Sequence, residues 1–245
     1  QLPDHSSRQW EFVRECLVDL KNSLNNIGLK LIIRVGRMED VIQEFMKKFH
    51  VKRIFSHEET GNEWTFKRDK DLRYFTKNQR IDWYEYRQFG VFRNLKIRTS
   101  WSQKWEQHMS MEVINNPNRV NYCFDVQSHI VPSSKSLNLN ADRCIHRIRG
   151  GREKGLQRLN NFLEYKLDNY QYSLSSPIKA FDGCSRLSPY LTWGCLSIRE
   201  VVQKIRKANK KGSKSIDSRL HWHCHFIQKL ESEPELEKRE YHPRM

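Results

Sequence analysis

An α/β domain followed by an all-helical one is what this 245-residue sequence predicts. Two observations predict it. Over roughly the first ninety residues, helix-period and strand-period patterns alternate three times at about 25-residue spacing, the pattern of a Rossmann-like, doubly wound parallel sheet with right-handed crossovers. Beyond about residue 150 only helical periodicity returns.

The first element is an amphipathic helix. Behind Ser6 and Ser7, residues Trp10, Val13, Leu17, Leu20 and Leu24 recur at spacings of three and four, which places them on one helical face. Gly28 ends that run, and LKLIIRV (29–35) reads as a buried strand. A second helix, carrying Val41, Ile42, Phe45, Met46 and Phe49, leads to the strand VKRIFSH at 51–57. A third, from Phe66 to Asn78, leads to IDWYEY at 81–86. A doubly wound sheet opens on a strand, whereas this pattern opens on a helix, so the first strand is expected to be missing.

From Val91 to about Asn140 the periodicity fades. FRNLKIRTSWSQKWEQHM is basic and aromatic, while NNPNRVNY and VPSSKSLNLN are rich in Asn, Pro and Ser, which reads as a long connection. The expected division is therefore an α/β domain at 1–105, a connection at 106–148 and a helical domain at 149–245. Within the last part, 155–166 carries Leu156, Leu159, Phe162 and Leu163 on one face, and further helices are expected at 198–207 and about 215–230.

Charge points to a class of partner. Forty-four Lys and Arg against 29 Asp and Glu give +15, spread along the chain, which favours a polyanion, nucleic acid ahead of membrane. Arg93, Lys96, Arg98, Trp101, Lys104 and Trp105 form a basic, aromatic stretch suited to DNA, whose binding would weaken steeply with salt. No apolar run approaches the ~20 residues of a membrane span. The six cysteines contain no C-x-x-C pair, which fits a reduced compartment. The expectation is a soluble, monomeric, intracellular protein, cytoplasmic or nuclear/organellar.

The densest chemistry lies in DGCSRLSPYLTWGCLSIRE, residues 182–200. Ser188 is a preferred N-cap directly before Pro189, and Gly194 can end the short helix that follows. Ser197-Ile198-Arg199-Glu200 is a capping box that starts another. Two helix N-termini beside Arg186 make an anion site suited to a phosphate or pyrophosphate, although most capping boxes merely start helices. His221 and His225 share a helical face, but two ligands fall short of the three or four a zinc site uses, so no metal is expected. Gly150 and Gly151 lack the G-K-[ST] of a phosphate loop and read as a helix-start turn. His57, Glu58, Glu59 and Asp69 follow a parallel strand, as a solvated loop or as the crevice where open α/β sheets bind ligands.

CSRLSPYLTWGCLSIREV resembles the flavin-phosphate segment of the photolyase and cryptochrome family. GGREKGLQRLNNFLEYKLDNY (150–170) resembles the segment that opens the family's flavin domain, SRLHWHCHFIQKLE its tryptophan-bearing helix, and SHEETGNEWTFKRDK its segment near the antenna site. The resemblance implies FAD held by Tyr172, Cys184, Ser185, Arg186, Leu187 and Ser188, with Cys184 replacing the family's threonine hydroxyl by a weakly donating thiol. It implies Trp222 against an extruded DNA lesion, flanked by Arg219 and His223 where the family has an acid and an arginine. The implied activity is light-driven electron transfer from reduced FAD to a pyrimidine dimer, a carbon–carbon lyase reaction, with an antenna chromophore in the strand-end crevice. A cryptochrome-like blue-light photoreceptor and a non-catalytic nucleic-acid-binding remnant are the alternatives. The family's flavin domain continues beyond its tryptophan helix, so no catalytic residue is assigned and this chain is expected to bind FAD weakly or not at all.

Overall fold

A computed structural model describes residues 5–95, 97–121, 125–142 and 144–239. Lys96 and Cys123 lie outside the described residues. Contacts gather the chain into two compact units, each discontinuous in sequence: Gln1–Val35 with Val113–Val201 and Ala208–Ser213, and Gly36–Glu112 with Val202–Lys207 and Lys214–Met245. A small parallel sheet among many helices makes the architecture α/β plus helical. Among the described residues, no helix is long and apolar enough to cross a membrane.

The second unit contains α2 (Met38–Met46), β1 (Arg53–His57), α3 (Glu63–Asn78) and β2 (Asp82–Tyr86). The strands pair in parallel from Arg53 opposite Asp82 to His57 opposite Tyr86. Side chains alternate across a strand, so Ile54 and Trp83 face one way and join Ile42, Leu72, Ile81, Val51, Met46 and Phe75 in a core. The opposite face carries Phe55, Tyr84 and Tyr86, exposed and stacked with Phe55 centroid distances of 5.3 and 6.4 Å. Asn62 caps α3 through its Oδ1, which accepts the Thr65 N–H at 3.1 Å.

Two expectations need correction. Residues 29–35 form no strand: Ile33 N–H donates to Ser128 Oγ and Ile33 C=O accepts from His129 N–H, single bonds that do not extend into a ladder. A β-rich run becomes a strand only when another strand supplies its partners, which its own composition does not reveal. The stretch read as pure connection contains a helix, α4 (Trp101–Ser110), which runs across residue 105. Trp101, Trp105 and Met109, at spacings of four, bury almost completely.

The first unit is built from α1 (Ser7–Asn26) and α5 (Arg152–Asn161), then α6 (Tyr170–Ser173), α7 (Ala180–Gly183), α8 (Ser188–Thr192) and the start of α9 (Ile198–Ala208). After α5 the chain widens into a π-helical turn at Phe162–Lys166. Gln9 Oε1 accepts the Ser6 N–H at 2.8 Å and closes the first turn of α1. The buried positions of α1 are Phe12 and Val13, whereas Leu20, placed on the buried face by periodicity, is exposed. The Phe12 ring meets Tyr190 edge-on at 5.3 Å, and the Tyr190 hydroxyl donates to Arg149 O at 2.6 Å. The Gly150-Gly151 pair is a helix start: Gly151, at φ +105°, precedes the first residue of α5 in a conformation that favours glycine.

Glu15 fastens this junction. Its carboxylate accepts from Arg147 at 2.6 and 2.9 Å, from Arg149 at 2.9 Å and from Gly150 N–H at 2.8 Å. Partial burial alone would raise its pKa, but the Arg147, Gly150 and Arg149 hydrogen bonds outweigh it and bring the value down from 4.5 to about 2. A carboxylate with a depressed folded pKa stabilises above its unfolded value, and that contribution is lost as pH falls through the folded one. The unit is therefore expected to lose about 1–2 kcal/mol from this group on acidification from pH 4.5 to about 2, discounting for its partial exposure. Urea midpoints above and below this window, for wild type and Glu15→Gln, check it: the variant should lose that part of the pH dependence.

Candidate functional site

The candidate phosphate segment lies in the first unit, between α7 and α8. Gly183 ends α7 where a Cβ would lie 2.3 Å from Ser173 Oγ, so the loop after it packs directly on α6. The fold thereby brings together α6, which carries Tyr172, and the loop at 184–188. Tyr172 is 67% exposed, with its ring free for a ligand, and Leu187 is buried beneath the loop. Ser185 and Arg186 are partly exposed and Ser188 is exposed. Cys184 gives its N–H to Ala180 O at 3.1 Å.

Ser188 does not cap α8. The first helical carbonyl is that of Leu187, which accepts from Tyr190 at 3.0 Å and Leu191 at 3.1 Å, so Leu187 is the N-cap and Ser188 the first helical residue. Ser188 is exposed at the helix start and does not close it. Gly194 follows the helix at φ +65°, the left-handed stop expected of it. Of the Ser197 capping box, the Glu200 half is present: Glu200 Oε1 accepts the Ser197 N–H at 3.0 Å while the same carboxylate pairs with Arg152.

Among the described residues, no acceptor takes the N–H groups of Ser185, Arg186, Leu187 or Ser188. Arg186 itself sits at φ +52°, a left-handed conformation that costs a non-glycine residue on the order of 1 kcal/mol. Its guanidinium lies 4.1 Å from the Phe181 ring, and no carboxylate among the described residues pairs with it. Four successive unclaimed donors beside an uncompensated arginine suit a phosphate or pyrophosphate. These residues fit the phosphate end of FAD.

The second candidate set lies in the second unit, on α10 (Ser213–Ser232). Arg219, Trp222 and Phe226 are exposed and share one helical face by their spacings of three and four. The Trp222 indole is 48% exposed and lies 5.5 Å from the Phe226 ring at 35°, leaving a flat aromatic surface open. His223 is half-buried against Phe89 at 5.5 Å, and burial lowers its pKa. His221 accepts or donates a hydrogen bond at Ser102 Oγ, 3.0 Å away, and its ring meets Trp101 and Trp105 at 4.7 and 4.8 Å.

The basic, aromatic stretch at 93–105 does not serve as a base-stacking surface. Trp101 and Trp105 are core residues, because α4 turns both toward the inside. Arg93 is largely buried and spends its charge on Glu85 and Asp69, at 2.9 and 3.5 Å. Lys104 stays exposed. Sequence reading missed this because a ten-residue helix with three apolar positions gives a weak period; Trp-x3-Trp-x3-Met was the available signal.

Beyond the end of β1, Glu59, Asn62, Phe66, Leu95, Glu231 and Glu237 line part of a cavity of about 390 Å³. Asp69 belongs to the ion pairs with Arg68 and Arg93 and not to this cavity.

The family model for DNA photolyase matches residues 1–109. The chain is 24% identical over 220 residues to the chloroplastic/mitochondrial cryptochrome DASH of Arabidopsis thaliana, an alignment covering 82% of this chain and 38% of that protein. Its structure is similar to that of a class III photolyase from Agrobacterium tumefaciens, with TM-score 0.75, 16% identity, and 97% of this chain against 52% of that one. It is also similar to an archaeal photolyase from Sulfolobus tokodaii solved with two FAD molecules, with TM-score 0.67, 22% identity, and 96% against 52%. The chain thus spans between about two fifths and about half of the proteins it matches. Family model, sequence relatives and fold agree in their likeness to the photolyase and cryptochrome family.

Proposed function

We propose that this chain forms part of a light-driven, FAD-dependent photolyase acting on pyrimidine dimers in DNA. Residues 1–105 would be the greater part of a Rossmann-like, doubly wound domain, 106–148 a connection and 149–245 the start of the helical FAD domain. The observation that carries the reading is the run of unclaimed N–H groups from Ser185 to Ser188 beside the unpaired Arg186 guanidinium. Their part is to bind and orient a diphosphate, with the Ser185 and Ser188 hydroxyls adding donors and Tyr172 covering it. When bound, reduced FAD supplies the light-excited electron donor. Trp222 offers an indole face on which an extruded base can stack, and Arg219 offers charge to the DNA backbone. The cavity beyond β1 is the place for an antenna chromophore.

Arg186 tests the cofactor half. In the full-length parent protein, Arg186→Ala is expected to weaken FAD by about 1–3 kcal/mol, the scale of a charge-assisted hydrogen bond, and Arg186→Lys by less. Arg186→Gly removes the same side chain and relieves the left-handed backbone, so the apo protein should melt no lower than wild type while FAD binding still falls. FAD titration by flavin fluorescence, beside apo melts, checks both. Unchanged affinity with a lowered melting temperature would make Arg186 a structural residue.

A photoreceptor without repair activity is the second reading. It is favoured by Arg219, which cannot accept a hydrogen bond from a base edge where the family's acid does. Blue illumination of the reduced, flavin-loaded protein with a dimer-containing oligonucleotide separates the two. Light-dependent dimer loss supports repair, and retained flavin without dimer loss supports the photoreceptor.

A further inference from the structure

We propose that Cys16 on α1 and Cys195 in the turn between α8 and α9 form a reversible redox pair that closes a disulfide inside the first unit. Their Sγ atoms stand 3.3 Å apart, in S–H···S contact and little more than an ångström beyond the ~2.05 Å of a disulfide bond. The Gly151 N–H points at Cys16 Sγ from 3.2 Å and favours negative charge on either sulfur of the pair. The two thiols share a proton: the hydrogen bond from Cys16 brings the Cys195 thiol down to about 7 against the effect of burial, while the same contact pushes Cys16 up. One thiolate is therefore accessible near neutrality with a protonated thiol beside it, the arrangement of an attacking and a resolving cysteine. Cys224 is the inert comparison, buried in the second unit with its thiol raised to about 11 by burial.

The oxidant is a small peroxide, small enough to enter beside the partly exposed Cys16 and reach Cys195, which is buried. The thiolate attacks one oxygen of hydrogen peroxide, breaking the O–O bond, and gives a sulfenic acid and hydroxide. The neighbouring thiol then attacks the sulfenic sulfur, forming the S–S bond and releasing the sulfenic oxygen as water. The two cysteines lose two electrons and peroxide is reduced to water. A dithiol reductant reverses the closure by thiol–disulfide exchange. Because the linked residues are 179 positions apart, closure removes much of the unfolded chain's freedom.

The test is to expose the reduced protein to stoichiometric hydrogen peroxide, alkylate the remaining thiols and digest it without reductant. The expected result is a Cys16–Cys195 linked peptide that dithiothreitol dissolves, Cys224 unlinked, and a melting temperature raised by several degrees. Cys16→Ser should abolish both the linked peptide and the rise. Folded wild-type protein that keeps both thiols alkylatable, or that carries Cys195 to sulfinic acid without linkage, would overturn the proposal. The wild-type peptide map decides even if the serine variant does not fold.

Discussion

Gln228→Ala is expected to lower stability by about 3–5 kcal/mol, the largest loss from any single side chain of α10. Gln228 is fully buried. Its Oε1 accepts the Phe92 N–H at 2.7 Å and its Nε2 donates to the Phe92 carbonyl at 3.0 Å, so one amide satisfies both backbone groups of a residue outside regular structure. Alanine leaves both part-buried groups without their partner, each costing up to about 1–3 kcal/mol, and opens a void besides. Gln228→Met keeps the volume and removes only the hydrogen bonds, so it should retain most of the loss. Gln228→Glu keeps the acceptor but buries a carboxyl that must protonate to donate, which makes its stability fall as pH rises. Urea midpoints of the three variants measure this, and a loss below about 1 kcal/mol for methionine would show that packing, not the amide clamp, holds Phe92.

Gly150→Ala should be comparably severe in the first unit, costing about 3 kcal/mol or more, or preventing folding. A Cβ there would stand 2.1 Å from Phe12 O, 2.8 Å from Cys16 Sγ and 3.1 Å from Cys16 N. Two of these are backbone atoms of α1, so relief requires moving a helix, and movement also strains the Gly150 N–H bond to Glu15. Gly61→Ala provides the contrast. Its nearest neighbours, Glu59 Oε1 and Thr65 Oγ1 at 2.7 Å, are side-chain ends that can rotate away, so it should cost less than about 1 kcal/mol. Thermal melts by far-UV circular dichroism compare the pair, and equal effects would mean that α1 yields more easily than its packing implies.

Helices were the legible part of the sequence. Those carrying Val41 and Ile42, Leu72, Leu159 and Val201 follow from apolar spacing, because a helix makes its hydrogen bonds within itself and its face is written locally. The strands at 53–57 and 82–86 also lie within the stretches predicted for them. Residues 29–35 read equally well and form no strand, since a ladder depends on a partner elsewhere. The phosphate segment was legible in composition but not in detail: Ser188 was expected to cap α8, and the backbone places that role one residue earlier, at Leu187. Nothing in the local pattern announced that Arg186 would take a positive φ. Nor did it announce that Glu15 would gather Arg147, Arg149 and Gly150, because partners more than a hundred residues apart leave no periodic trace.

That same remoteness orders events during synthesis. Glu15 waits for Arg147, 132 positions later, and at about 5–20 residues per second the ribosome needs roughly 7–26 s to deliver it. Until then Glu15 lacks its arginine partners, and the ring of Tyr190 that covers Phe12 comes later still. The nascent chain must carry an amphipathic helix with an open apolar face for that interval, which makes α1 the natural first client for a ribosome-associated chaperone and makes slower translation of residues 27–146 a route to misassembly.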